Sequence, residues 1–196
     1  MSRAVNRKTL IDACINGILT GQDLYKEWTG ANVRAAPESL VQVLTARHLA
    51  ESGVRLLLEA QVRELAEAAT EERPIPITRQ GRIDIAVFYD SGAPRLFIEV
   101  KKISNARSLN EDHSRIVELL RCCSKAQHGV MIGYTTAVKA STVIERLKAV
   151  QSQTGCRVVR SLAPVPVKTR AGRNRYLGGA VLRVDRGTGV DGGEDL

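Results

Sequence analysis

Asp84, Glu99 and Lys101 are the residues whose types and spacing can do chemistry. They lie in Arg82 to Lys102, where two runs rich in Ile, Val, Phe and Tyr flank Asp90-Ser-Gly-Ala-Pro94. That composition predicts a β-hairpin with a tight turn. With Ser91 and Gly92 as a two-residue loop, Asp90 faces Ala93. Asp84 then falls directly opposite Glu99, with Cβ atoms roughly 5 Å apart on one face. Side chains alternate along a strand, so Lys101 shares that face and Lys102 points to the other. Carboxylate oxygens are hard ligands suited to Mg2+ or Mn2+, and Mg2+ is commonly held by one or two carboxylates plus waters and phosphate oxygens. Such a cation lowers the pKa of a bound water and steadies charge on a phosphate under attack. An amine beside it can orient that water, take its proton if its own pKa is depressed, or stabilise developing negative charge. These are the parts of metal-assisted phosphodiester hydrolysis. The same alternation also suits an ordinary solvated face, with Asp84 paired to Lys101 or Arg82.

Ile83-Asp84, followed on the next strand by Glu99-Val100-Lys101, resembles the PD-(D/E)xK, or restriction-endonuclease-like, nuclease superfamily. Ile83 fills the proline position of that pattern. The resemblance implies that Asp84 and Glu99 bind a divalent metal, Mg2+ or Mn2+, and that Lys101 assists the attacking water. It also implies a Glu on the helix before the sheet, for which Glu38 is the best match, with Gln42 one turn later. Acidic residues favour first helical turns in any case, because of the macrodipole. The implied fold is α/β, a mixed central β-sheet flanked by helices with an αβββαβ core over residues 37–162. The implied function is a Mg-dependent DNA endonuclease of the restriction-like or junction-resolving type, with a homodimer as the usual way of reaching both strands. The alternative is a catalytically inactive protein of the same fold that binds nucleic acid or a protein partner.

The elements that must position these residues follow from pattern and punctuation. Residues 1–36 form an N-terminal helical extension. Leu10, Ile11, Cys14, Ile15, Ile18 and Leu19 recur at helical spacing, and Gly21 is a natural stop before a second short helix. Trp28 is expected to pack. Pro37 opens the next helix, which runs to Ser52-Gly53. A strand near 54–60 and a short helical or irregular segment come next, and Arg73-Pro-Ile-Pro-Ile is extended. After the hairpin, Ser108-x-x-Glu111 is a capping box and starts a helix whose buried stripe is Ile116, Leu119, Leu120 and Cys123. His113 and Arg115 sit in its first turns, where they face phosphate or, as readily, solvent. His128 to Tyr134 is a buried strand, residues 136–154 a helix closed by Gly155, and Cys156 to Leu162 a strand. Residues 163–196, broken by Pro164, Pro166 and several glycines, read as a basic, partly disordered tail in which Ala180 to Val184 adds at most an edge strand.

Composition fits this picture. A chain of 196 residues with 43% hydrophobic and 26% charged residues is globular and long enough for a core. The net charge of +8 suits a polyanion, so nucleic acid, and DNA in particular, is the expected partner. Lys102, Arg115, Lys168, Arg170, Arg173 and Arg175 are the candidate phosphate contacts. Aromatics make up only 4%, which argues against extensive base stacking. No run reaches transmembrane length. Cys14, Cys122, Cys123 and Cys156 have no zinc-site spacing and read as reduced, mostly buried thiols of a cytoplasmic protein.

Overall fold

The computed structural model describes residues 5–69, 78, 80–103 and 109–186. Six strands form one mixed sheet: β1 (Arg55–Gln61), β2 (Arg82–Phe88), β3 (Pro94–Lys102), β4 (His128–Ala137), β5 (Arg157–Lys168) and β6 (Asn174–Val184), in the spatial order β1-β2-β3-β4-β6-β5. All neighbours are antiparallel except β3 and β4, which run parallel. A parallel pair needs a crossover, and α4 (Leu109–Cys122) supplies it. Helices cover both faces. α1 (Arg7–Thr29) and α2 (Glu38–Glu51) pack on one side, with Ile18, Val41 and Leu49 against Ile85, Ile98 and Val181. On the other side α3 (Val62–Glu67), α4 and α5 (Ala140–Thr154) pack on the sheet, with Leu65, Ile116, Leu119 and Val150 beside Phe97, Met131 and Leu182. The expected succession of helix, three strands, helix and strand runs from α2 to β4, with α3 as the short helical segment after β1.

Three expectations need correction. Gly21 does not end the first helix, which continues to Thr29 and stops at Gly30, where φ is 69°. Gly17 and Gly21 are there for close packing: a Cβ at Gly17 would lie 2.0 Å from the Thr45 hydroxyl, and one at Gly21 would lie 3.3 Å from Val41. Trp28, in the last turn of α1, is 62% exposed and packs on little. Residues 163–184 are sheet, not tail. Pro164 and Pro166 misled because they sit on β5, the edge strand, where a missing N–H costs no ladder bond. β6 is interior, between β4 and β5. Its Gly178 and Gly179 allow the helices close: Cβ atoms there would meet Val143 of α5 at 2.5 Å and Ile18 of α1 at 2.7 Å.

The expected capping box and the Arg73–Ile77 segment fall wholly or partly outside the described residues, as do the residues beyond Arg186. All four cysteines are free and buried. No helix among the described residues is long and apolar enough to cross a membrane.

Candidate active site

The β2–β3 hairpin keeps the expected register by an unexpected route. Its loop is three residues long: the Tyr89 N–H donates to the Ala93 carbonyl, the Gly92 N–H to the Tyr89 carbonyl, both at 2.9 Å, and Gly92 has φ 84°. That pairs Phe88 with Pro94, one residue out of step with the two-residue loop. A bulge between Val87 and Phe88 then restores Val87–Leu96, Ala86–Phe97 and Ile85–Ile98. One further step would set Asp84 against Glu99, but the pairing stops at Ile85–Ile98 although both strands continue.

Where the ladder ends, side chains take over. The Val100 N–H donates to Asp84 Oδ2 at 2.7 Å, so a carboxylate stands where a strand carbonyl would otherwise be. Glu99, 4% exposed, lies close enough to Asp84 for each carboxyl to shift the other's titration. Burial, then the charges of Asp84 and Asp112, push the Glu99 carboxyl up to about 9, against the opposing pull of Arg115. Burial also raises Asp84, partly offset by its bond from Val100. Two carboxyl groups that are costly to ionise side by side are a place where a cation gains most.

Cations of the protein already answer part of that charge. Arg115 Nη1 donates to Glu99 Oε1 at 2.8 Å, to Asp112 Oδ1 at 3.3 Å and to the Arg82 carbonyl at 3.1 Å. Lys101 Nζ lies 3.0 Å from Asp112 Oδ2 and 3.9 Å from Glu38 Oε2. Burial would lower the Lys101 pKa, but the bond to Asp112 and the charges of Asp112, Glu38 and Glu99 outweigh it, and the net shift is upward. Lys101 is therefore an ammonium here, which favours charge stabilisation over the proton-acceptor role.

Glu38 reaches the site from the first turn of α2, and its Oε1 accepts from the Lys102 N–H at 2.9 Å. Gln42, one turn on, donates from Nε2 to Glu59 Oε1 at 2.7 Å and to the Asp84 carbonyl at 3.0 Å. Below Glu38, the Tyr134 hydroxyl is fully buried without a hydrogen-bond partner among the described residues; burial, then the Glu38 charge, raises its pKa. Glu59 lies on β1 between Leu58 and Ala60, which pair with Ile85 and Ile83, so it flanks Asp84. Its φ of 53° makes it the single described non-glycine residue with positive φ. A left-handed residue inside a strand costs roughly 1–3 kcal/mol and persists only where its surroundings hold it.

The structure thus brings together Glu38, Asp84, Glu99, Lys101 and Arg115, five of the ten residues singled out in the sequence. Arg115 faces carboxylates, not phosphate or solvent. Lys102 stands apart: its ammonium donates to the Arg34 and Ala36 carbonyls, both at 3.1 Å, so it anchors the chain entering α2 and is not available as a phosphate contact. Lys168, Arg170 and Arg173 are exposed around the β5–β6 loop, and Arg175 is the second residue of the return strand. That loop projects from the carboxylate end of the sheet, because β4 runs past Lys102 to pair with β6 up to Ala137–Tyr176. Asp112 and Glu59 were missed. Asp112 stands one turn before Ile116 in the apolar stripe of α4, and a charge in that stripe is the signal that could have found it. Glu59 had no such mark.

Two hard carboxylates on adjacent strands fit an ion that keeps most of its ligands as water and phosphate, as Mg2+ does. Among the described residues, no three acidic, imidazole or thiol groups converge as a full metal cage. Asp84 and Glu99 would hold the ion, which when bound supplies charge at the attacked phosphate and an acidified water. No protein-family model, no curated protein and no solved structure matches the chain.

Proposed function

We propose that the protein is a Mg2+- or Mn2+-dependent nuclease of the restriction-endonuclease-like kind, hydrolysing phosphodiester bonds in DNA. The observation that carries this reading is the juxtaposition of the Asp84 and Glu99 carboxyls at the opened end of the β2–β3 ladder, where each acts on the other's charge, with the Lys101 ammonium on the same patch. Asp84 and Glu99 act as metal ligands. Lys101 stabilises the negative charge that grows on the phosphate oxygens. Glu38 positions Lys101 and the adjacent β3 backbone. Asp112 fixes the ammonium, and Arg115 holds Glu99 in place until substrate and metal arrive. The basic loop at 168–175 lies at the same end and supplies phosphate contacts that carry affinity without sequence choice.

A second reading draws on one specific observation. Arg115 and Lys101 already pair with Glu99 and Asp112, so the cluster is partly neutralised, as a binding protein without catalysis would allow. One experiment separates the two. Linear, supercoiled, branched and single-stranded DNA are incubated with the protein, with and without Mg2+ or Mn2+. Metal-dependent cleavage that disappears in Asp84→Ala supports the nuclease. DNA binding without cleavage under any metal supports the silent binder.

A further inference from the structure

At the opposite end of the sheet, α1 leaves a cavity of about 60 Å3 against β3, β4, β5 and β6. Its lining combines the apolar Leu10, Ile11, Leu96, Val130 and Val159 with Arg7, Arg95, Arg183, Gln127 and His128. No carboxylate is among the described residues that line it. A water needs roughly 10–15 Å3 of such space, so the cavity has room for several waters or a small ligand.

The cations differ in how well they are answered. Arg95 donates to the Val5 carbonyl and lies 5.4 Å from the centre of the Tyr89 ring. Arg183 pairs with Asp185 at 2.5 Å. Arg7 has no ion pair among the described residues, and it lies near enough to His128 to help burial and Arg183 push that imidazole's pKa down. His128 Nδ1 is buried without a hydrogen-bond partner among the described residues. Arg7 and Lys8 also open α1, whose first turn carries no acidic residue. Cations there oppose the positive end of the helix dipole, and a bound anion reverses that penalty. The cation without an ion pair calls for negative charge; the apolar lining calls for hydrocarbon.

We propose that this cavity binds a small organic carboxylate with a short aliphatic body. The carboxylate meets Arg7, and the aliphatic part covers Leu96, Val130 and Val159. Inorganic phosphate would match the cations but leave the apolar lining bare. The test is calorimetric titration of the full chain with butyrate and, separately, with inorganic phosphate. Butyrate should saturate one site per chain, and phosphate should not do so at the same concentration. Arg7→Ala should weaken butyrate about tenfold, the scale of a lost hydrogen bond to a charged group. Arg7 is exposed at the start of α1, so its removal leaves the packing intact. Val159→Phe fills the cavity from β5 while keeping every cation, and should also remove butyrate binding. Lack of saturation by butyrate, phosphate binding equal to or tighter than butyrate, or unchanged butyrate affinity in Arg7→Ala would each overturn the proposal.

Discussion

The two hairpins of this sheet share a loop and differ in everything the loop serves. In β2–β3 the Tyr89 and Gly92 amides close a three-residue turn with bonds of 2.9 Å to Ala93 and Tyr89; in β5–β6 Thr169 and Gly172 repeat the pattern with Arg173 and Thr169, also at 2.9 Å. The glycines have φ 84° and 74°. Yet Asp90-Ser-Gly closes the end away from the carboxylates, and Arg170-Ala-Gly closes the end beside them. The first hairpin holds its chemistry where its strands part, far from its turn. The second carries its charge on the turn itself. A shared loop geometry therefore leaves the register beyond it to the bulges, and the charge to whichever residues the strands and tip happen to carry.

The largest test of this contrast is removal of the groups at the parted strands. Asp84→Ala or Glu99→Ala should reduce cleavage on the order of 10³-fold or more and weaken divalent-metal binding with it, read by paired cleavage and metal titrations. Lys101→Ala should lose cleavage on the order of 10²–10³-fold while metal and DNA still bind, since its charge counts most as charge builds on the phosphate. Metal affinity that falls equally in Lys101→Ala would merge the two roles. At the other hairpin, Arg170, Arg173 and Arg175 replaced together by Ala should weaken binding alike for all sequences. The slope of log affinity against log salt should flatten by up to about 2.7 if all three touch phosphate. An unchanged slope would leave that loop a solvated turn.

Smaller effects concern stability. Lys102→Ala strands two carbonyls at the start of α2 and should cost about 1–3 kcal/mol in denaturant unfolding. A cost near zero would return Lys102 to the surface role first expected of it. Gly92→Ala and Gly172→Ala each force a left-handed alanine into open space, and each should cost roughly 1 kcal/mol. Because the turns match, the two costs should agree within a few tenths; a wide gap would show that the likeness stops at the hydrogen bonds.

Much of this architecture was legible because apolar periodicity and turn residues act locally. Ile83, Ile85 and Val87 alternate, and Leu119 and Leu120 share the helical stripe of Ile116; strand and helix followed. The register of Asp84 with Glu99 was reached although the loop length was misjudged, because the bulge at Val87–Phe88 and the longer loop cancel. What local pattern could not carry was pairing across distance. Pro164 and Pro166 break a helix or an interior strand but not an edge, and only the sheet order shows that β5 is an edge. Gly21 read as a breaker because its partner, Val41, is on another helix. Arg115 read as facing phosphate or solvent, and Asp112 was missed, because Glu99 and Lys101, which pair with them, are on a strand; Glu59 gained its place only when β1 met β2.

The sheet order has a consequence for the nascent chain. β6 is made last among the described strands but lies between β4 and β5, so β4 keeps one open edge until residues 174–184 have left the ribosome. During that interval β5 is already synthesised and can pair with β4 in its stead, while Leu162, Val165 and Val167 lack their cover. The final strand must then be seated between two partners at once. Any truncation upstream of Asn174 would trap the chain with that edge exposed, and such a fragment is expected to associate with copies of itself.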